Sequence, residues 1–285
     1  MNARTLLCLS YILLFKLECI PAQTESQLNY VAVRNTQEHA HGTLIIVSAT
    51  ASSIVIAADG GLTQGGRVIS TKEHKILRVN NDVACFLAGS VRFDSTNAKD
   101  RADLPDIARK WITEHRQGEV LDAYTGLTAL IAKAMSGFRS KHPEPHFTVS
   151  VGCVGFNMGA PTIVASDFYL QSDTAPQIKK TDHILALGVV IPLGRANVAT
   201  EILRGNSDAL LSFKKVGVIS KYREASKKGT LALLSERELI AVSAECLNAT
   251  ETRVAQKFDP KAAEVAAPNH FAIIDQKHGF RWATP

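Results

Sequence analysis

The sequence predicts an α+β fold in which two β-sheets pack face to face and helices cover both outer faces. The order of the segments is the first observation behind this prediction. Strand-like segments rich in β-branched residues come first, followed by two helices, more strands, more helices and two final strands. The second observation is that the first two strand-like segments are apolar almost throughout, which indicates burial on both faces. Strands and helices grouped in this way are typical of layered α+β architectures.

The first block of strands begins directly after Gly42. Strands are predicted for residues 43–50 and 53–59, and the short Ala-Ser turn between them favours an antiparallel hairpin. The glycines between positions 60 and 66 predict a tight loop. Further strands are predicted for residues 68–70, 75–79 and 83–87.

The first helix has a predicted cap, Asp103 or Asp106, and runs towards His115. Ser235 and Glu238 have the spacing of a capping box at the start of a later helix. The other predicted elements are helices at about 121–141, at 196–204, at 207–215 or beyond, and at 235–252, and strands at 147–154, 162–165, 184–190, 271–275 and 280–282.

The first 22 residues are typical of a secretory signal peptide. A basic start precedes an apolar run, and Pro21-Ala22 offers a small residue for cleavage. A membrane anchor is the alternative, but the run is shorter than the ~20 apolar residues that span a bilayer, and no later stretch is long enough. A genuine signal predicts export to the periplasm or the extracellular space, and its absence a cytoplasmic location. Residues 23–42 are a polar leader or propeptide, and residues 43–285 are predicted to form one domain.

Charge and cysteine usage exclude some classes of function. The chain has 285 residues and a formal net charge of +5 with both signs well mixed, which argues against a nucleic-acid partner. Cys8 and Cys19 belong to the signal segment. The three remaining cysteines, an odd number, predict no disulfide framework, and their spacing does not suit zinc. Cys85 and Cys153 lie in apolar runs and are predicted to be small buried hydrophobic residues. No metal or organic cofactor is predicted.

The Gly42-Thr43 junction could carry nucleophilic chemistry. If the chain is cut before a threonine, the hydroxyl can attack a carbonyl and the freed α-amine can act as the base. Such an amine has a pKa of ~7.7–8.0, close to working pH. The hydroxyl also needs a positive charge nearby, which a lysine held by an aspartate would supply. The oxyanion needs a backbone N–H, which a glycine in a tight turn offers best.

The stretch from Gly42 to Gly89 resembles the proteasome β-subunit family of the N-terminal-nucleophile hydrolase superfamily. It is also similar to the bacterial two-component threonine peptidase. The matching elements are Gly42-Thr43, Ala57-Ala58-Asp59, Thr63-Gln64-Gly65, Lys75-Ile76 and Ala88-Gly89. Their separations from Thr43 match the family without a gap, whereas the rest of the chain matches in the order of its elements only.

This resemblance implies a four-layer αββα sandwich of two antiparallel sheets and a threonine-type peptidase. Thr43, freed by cleavage after Gly42, would be the nucleophile. Asp59 and Lys75 would form the orienting charge pair, and the Gly89 N–H would donate to the oxyanion.

The same resemblance implies a peptide or protein substrate. Thr63 would supply backbone contacts to an extended chain. The pocket for the residue before the cut would be lined by Leu62, Glu73, Leu77, Leu87 and Val91. This mostly apolar lining favours apolar or aromatic residues. The family assembles into rings, so a homo-oligomer is also implied.

Four features depart from the family pattern. Residues 187–194 (LGVVIPLG) replace a turn whose serine supports the threonine amine, and residues 265–270 (VAAPNH) replace a Ser-Gly-Gly. The family also has an aspartate before its late strand, and the nearest acids here, Asp259 and Glu264, do not have its spacing. Leu44 replaces the small polar residue that commonly follows the threonine. Two other functions therefore stay open: a non-catalytic scaffold or assembly subunit of this type, and an amidase of the same fold that acts on small molecules.

Overall fold

The chain is a mixed α+β protein whose paired strands are antiparallel, as seen in a computed structural model. The structure describes residues 43–64, 67–71, 74–89, 91–93, 102–141, 147–170, 177–205, 210–214 and 217–285. The predictions for the signal peptide, the leader, Gly42 and Glu73 lie outside these residues.

One five-stranded sheet contains the strand that follows Thr43. Its members are β1 (Leu44–Ala49), β2 (Ser53–Asp59), β12 (Val190–Gly194), β13 (Asn269–Asp275) and β14 (Gly279–Ala283). Their order is β12-β1-β2-β13-β14, and each neighbouring pair is antiparallel. Every residue of β1 and β2 is buried, which confirms the predicted hairpin buried on both faces.

The second five-stranded sheet contains β5, which directly follows Lys75, and β6, which ends at Gly89. Its members are β5 (Ile76–Arg78), β6 (Val83–Gly89), β9 (Phe147–Asn157), β10 (Ala160–Leu170) and β11 (Gln177–Ile184). Their order is β11-β10-β9-β6-β5, again antiparallel throughout. Two small hairpins stand beside the sheets, namely β3 (Leu62–Gln64) with β4 (Arg67–Ser70), and β7 (Arg92–Phe93) with β8 (Ala102–Asp103).

Two of the described helices begin where their capping residues predict. The Asp103 carboxylate accepts a hydrogen bond from the Asp106 N–H, and Ser235 and Glu238 form a complete capping box. None of the described helices is both long and apolar enough to cross a bilayer. The described helices are α1 (Leu104–Glu114), α2 (Val120–Lys141), α3 (Asn197–Arg204), α4 (Leu211–Lys214), α5 (Gly217–Lys227), α6 (Glu236–Thr250) and α7 (Arg253–Phe258), with 3₁₀ turns at Leu231–Leu233 and Pro260–Glu264.

Side chains alternate along the strands and therefore divide among three hydrophobic clusters. One cluster joins the two sheets and includes Ile45 of β1 and Phe86 of β6. A second packs the other face of the β6 sheet against α1 and α2. The third packs the other face of the β1 sheet against helices that include α3, α5 and α6, and Ile46 belongs to it.

Two predictions about local structure are wrong. The strand predicted at residues 184–190 is the connection between β11 and β12, in which Leu187 and Gly188 form a turn. The segment after β2, predicted to be a loop because it is rich in glycine, contains the strand β3. Apolar character alone did not locate these elements, because a partly buried connection can be as apolar as a strand.

The interpretation of Cys85 and Cys153 as unpaired small hydrophobic residues is also wrong. They lie opposite each other on β6 and β9, with Cα atoms 3.9 Å apart, and form a disulfide. The pairing depends on the register between two strands whose cysteines are 68 residues apart, and the odd cysteine count could not supply it. Cys246, on α6, is the remaining free and buried cysteine of the described residues.

Candidate active site

Thr43 lies at the start of β1 and is almost completely buried, with 1% of its surface exposed. Its carbonyl oxygen accepts a hydrogen bond of 2.8 Å from the backbone N–H of Arg195. Arg195 directly follows β12, the strand that pairs with β1. The residue predicted to be the nucleophile is therefore fixed to the first sheet through its own backbone.

Asp59, the last residue of β2, connects the start of β1 to Lys75. Its Oδ1 atom accepts a hydrogen bond of 2.8 Å from the Leu44 N–H. Its Oδ2 atom receives the Lys75 ammonium at 2.7 Å and the Ala266 N–H at 3.4 Å. One carboxylate thus contacts the residue after Thr43 and the predicted catalytic lysine at the same time.

The Asp59–Lys75 pair is buried, with 0% and 4% of the two side chains exposed. Burial raises the pKa of the Asp59 carboxyl above its ordinary value, whereas the Lys75 ammonium and the Leu44 and Ala266 N–H groups act in the opposite direction. The ionised form of Asp59 therefore depends on these partners. Because Lys75 directly precedes β5, the ion pair also links the two sheets.

Gly89 ends β6 with a φ of +91°, a conformation that favours glycine. A Cβ atom at this position would lie 2.3 Å from the Thr148 carbonyl oxygen, so no other residue fits without a backbone shift. A Cβ atom on Gly194 would approach both the Thr43 carbonyl oxygen and the Ala88 side chain, at 2.2 and 3.4 Å. The end of β6 and the start of β1 therefore flank the same glycine.

The predicted pocket residues converge beside Lys75. Leu62, Leu77, Leu87 and Val91 line one pocket, together with His74, Lys75 and Pro105. The structure thus brings together four of the five predicted lining residues, and the fifth, Glu73, lies outside the described residues. His74 is adjacent to Lys75 and could have been inferred from that position, but Pro105 lies on α1 and carries no local signal.

Thr63 lies in β3 and is buried, with 1% exposed. Its hydroxyl donates to the Glu264 carbonyl oxygen at 3.5 Å, and Thr63 is not among the residues that line the pocket. The structure therefore places Thr63 next to the 3₁₀ turn that ends at Glu264.

Sequence reasoning missed two charged residues near Thr43. Glu264 does not have the spacing of the family's aspartate, and Arg195 belongs to no motif. In the structure, the Arg195 Nε and Nη2 atoms donate to the Glu264 Oε2 atom at 2.6 and 2.5 Å. Asp259, the other acid considered, instead accepts a hydrogen bond from the Asn197 side chain at 2.9 Å.

Aromatic side chains lie on the side of the pocket where His74 stands. The His74 ring lies 4.8 Å from the His270 ring and 6.1 Å from the Trp282 ring. Burial lowers the pKa of His270, and the nearby His74 and Lys75 lower it further. Across the described residues, no group of three or more His, Cys, Asp or Glu side chains could hold a metal ion.

No family model matches this chain. A comparison with curated proteins likewise finds no significant match. What the site can do chemically therefore has to follow from its residues and their geometry.

Proposed function

We propose that this protein is a threonine-type peptidase of the proteasome-like, N-terminal-nucleophile class. The observation that carries the proposal is the Asp59 carboxylate, which contacts the Lys75 ammonium through one oxygen and the Leu44 N–H through the other. This contact sets a buried positive charge beside the start of β1, where the chemistry needs it. The resemblance from Gly42 to Gly89 supplies the reaction class.

In the proposed reaction, cleavage of the Gly42-Thr43 bond frees the α-amine of Thr43. The Thr43 hydroxyl then forms a bond to the substrate carbonyl carbon while its proton passes to that amine. The Lys75 charge stabilises the developing alkoxide, and the Gly89 N–H donates to the oxyanion. The substrate C–N bond breaks as the proton is delivered to the leaving amine, and water then hydrolyses the ester.

The proposed fold is the four-layer αββα sandwich of this class. Three observations support it: one hydrophobic cluster shared by both sheets, and two further clusters that pair the opposite faces with separate sets of helices. The all-antiparallel strand orders of both sheets are consistent with the same arrangement. On the same resemblance we propose that the protein self-associates into a ring.

The proposed substrate is a peptide with an apolar or aromatic residue before the cut. The pocket beside Lys75 is lined mainly by Leu62, Leu77, Leu87, Val91 and Pro105, and these side chains offer no charge to a substrate. Hydrophobic burial would drive binding there. The backbone of Thr63 would hold the extended chain by strand addition.

We also propose that the protein is exported. The signal-like N-terminus is one support, and the Cys85–Cys153 disulfide is an independent one, because disulfides persist mainly in oxidising compartments. No ATP-driven unfoldase is expected in such a compartment, so unfolded or short peptides are the expected substrates.

One observation favours the scaffold as a second candidate function. In the uncleaved chain Thr43 is only 1% exposed, which leaves little of its surface accessible to a substrate. In this case the Asp59–Lys75 pair would only stabilise the fold, and the Gly42-Thr43 bond would stay intact.

The proposal is tested by N-terminal sequencing and peptide hydrolysis. The purified protein should begin at Thr43 and cleave fluorogenic peptides after apolar residues. Thr43→Ala should lose activity by at least about a thousandfold, in the range expected for loss of a nucleophile, and Thr43→Ser should keep part of it. Thr113→Ala, on the exposed side of α1, is the matched control and should be fully active.

Two results would contradict the peptidase. An active protein with an intact Gly42-Thr43 bond would exclude the amine as base. Full activity in Thr43→Ala would exclude the hydroxyl as nucleophile and would favour the scaffold or another site.

A further inference from the structure

The peptide bond between Thr43 and Leu44 is held by both of its polar atoms. Its carbonyl oxygen accepts from the Arg195 N–H at 2.8 Å, and its N–H donates to Asp59 Oδ1 at 2.8 Å. Arg195 follows β12 and Asp59 ends β2, which are the two strands that flank β1. The backbone that carries the Thr43 side chain is therefore hydrogen-bonded to residues at the ends of both neighbouring strands.

The hydrogen bond from the Arg195 N–H requires the backbone at the end of β12 to come close to the Thr43 carbonyl oxygen. Gly194, just before it, has a φ of +76°, and a Cβ atom there would lie 2.2 Å from the Thr43 carbonyl oxygen. Gly194 is the last residue of β12 and still pairs with Leu44, whereas Arg195 lies just beyond the end of the strand. The contact of the Arg195 side chain with Glu264 therefore anchors the backbone at this strand end.

The contact between Arg195 and Glu264 is a close, partly buried ion pair. Two guanidinium nitrogens donate to one carboxylate oxygen at 2.6 and 2.5 Å, and 22% and 18% of the two side chains are exposed. Charge-assisted bonds of this kind fix geometry better than a single neutral hydrogen bond does. Reduced exposure also weakens screening by salt, in contrast to pairs on the open surface.

Glu264 in turn connects to the other hydrogen bond of this peptide. It ends the 3₁₀ turn Pro260–Glu264, and Ala266, two residues later, donates its N–H to Asp59 Oδ2 at 3.4 Å. The Ala266 carbonyl oxygen also accepts from the Gly61 N–H at 2.8 Å. A single ion pair thus ties together the segment that holds the Thr43 carbonyl and the segment that holds Asp59.

We propose that Arg195 and Glu264 are positioning residues for Thr43. Their ion pair keeps the Arg195 N–H on the Thr43 carbonyl and, through Ala266, keeps Asp59 on the Leu44 N–H. Neither side chain takes part in bond making. This inference rests on the proposed function, since it assigns the orientation of the Thr43 hydroxyl to a charge pair. A displacement of about 1 Å at a reacting group can reduce a rate by about a hundredfold.

The inference is tested with Arg195→Ala and Glu264→Gln in the full chain. Each should lower kcat by about 10- to 100-fold and leave KM within about twofold, because the pocket beside Lys75 is untouched. The double variant R195E/E264R restores an ion pair with reversed charges and should recover most of kcat. Arg281→Ala is the matched control, since it removes the ion pair of Arg281 with Glu236, which joins β14 to α6, and should keep wild-type kcat.

Wild-type kcat in Arg195→Ala would overturn the inference. An equal loss in Arg281→Ala would also overturn it, because the effect would then be general destabilisation. Failure of R195E/E264R to exceed the single variants would show that the pairing itself has no role.

A second readout separates this inference from the proposed function. If the wild-type protein hydrolyses no peptide, the peptidase assignment fails, but the hydrogen bonding of the Thr43–Leu44 peptide can still be measured by amide hydrogen exchange. Arg195→Ala should speed exchange of the Leu44 N–H at least about tenfold relative to the Val47 N–H in the middle of β1. Equal rates for Leu44 in the variant and the wild type would overturn the positioning role.

Discussion

Asp59 is the residue on which the candidate site depends most directly. Its two oxygens collect three donors, from Leu44, Lys75 and Ala266, that belong to three separate segments of the chain. A buried carboxylate without such partners would be strongly disfavoured. The three donors therefore stabilise the ionised carboxylate of Asp59, and the carboxylate in turn holds the three segments together.

Removing Lys75 should separate the structural role of this pair from its chemical role. Lys75→Met leaves a buried, unpaired carboxyl group and should lower the free energy of unfolding by about 3–5 kcal/mol. Asp59→Asn combined with Lys75→Met removes both charges, keeps an oxygen for the Leu44 N–H, and should regain most of that stability. Urea unfolding and peptide hydrolysis measure the two effects, and both variants should be inactive.

The interpretation of the pair would be wrong on either of two results. A Lys75→Met protein as stable as the wild type would show that Asp59 needs no partner. A hydrolytically active double variant would show that the charges serve stability alone.

Single residues also show how far the sequence could predict the site. Asp59 and Lys75 were expected to pair because they have motif spacing, and the structure brings them into contact. Arg195 and Glu264 could not be found in this way, since their contact depends on a positive-φ glycine and on where a 3₁₀ turn ends. Such features come from tertiary packing and leave no periodic signal in the sequence.

Among the elements, β6 has the greatest number of separate roles. It pairs with β5 and β9, supplies Leu87 to the pocket, and ends at Gly89. Cys85 in the middle of this strand forms the disulfide with Cys153 on β9. A covalent link therefore fixes the register of the strand that offers the proposed oxyanion donor.

Removing this disulfide should destabilise the protein markedly. The cysteines are 68 residues apart, and for a loop of that length the chain-entropy model gives a loss of about 4 kcal/mol in the free energy of unfolding. Guanidinium unfolding of Cys85→Ala/Cys153→Ala should show this loss relative to the oxidised wild type. A reductant should lower the unfolding midpoint of the wild type and leave that of the variant unchanged, and insensitivity of both would contradict the prediction.

Element boundaries mark the limit of what the sequence could predict. The hairpin of β1 and β2 and the capped helices α1 and α6 were predicted correctly, because long apolar runs and capping residues are strong local signals. The segment from residue 184 to 190 was placed wrongly, because its apolar sequence is typical of a strand although it forms a partly buried connection. β4 was predicted at residues 68–70, whereas β3 has only three residues and little apolar pattern of its own.

At the scale of the whole molecule, the two sheets share one hydrophobic cluster, and the Asp59–Lys75 ion pair joins them at the site. His270 lies beside this junction, on β13, and contacts the ring of His74. Protonation of His270 therefore affects a region where both sheets meet, so its consequence should appear in global stability.

The stability of the protein should fall as the pH drops below ~6.5, the ordinary pKa of histidine. Burial first, and then the charges of His74 and Lys75, lower the pKa of His270 in the folded state. The unfolded chain thus binds a proton at a higher pH than the folded chain does. Stability from this group is complete above pH ~6.5 and is lost as the pH falls through the folded-state pKa.

Thermal unfolding between pH 7.5 and pH 5.0 measures this effect. His270→Gln should lose a few degrees less than the wild type over that interval, while His115→Gln, at the exposed end of α1, should behave like the wild type. Identical pH profiles for His270→Gln and the wild type would contradict the assignment.

The free Cys246 gives the molecule a built-in chemical reporter. It is 0% exposed, and burial raises the pKa of its thiol above the ordinary value, so a thiol reagent cannot reach or easily ionise it while the chain is folded. After loss of the segment before Thr43, and with the disulfide formed, it would be the single free thiol in the chain. The rate at which a chromogenic thiol reagent labels the mature protein would then report opening of the folded chain, without any introduced probe.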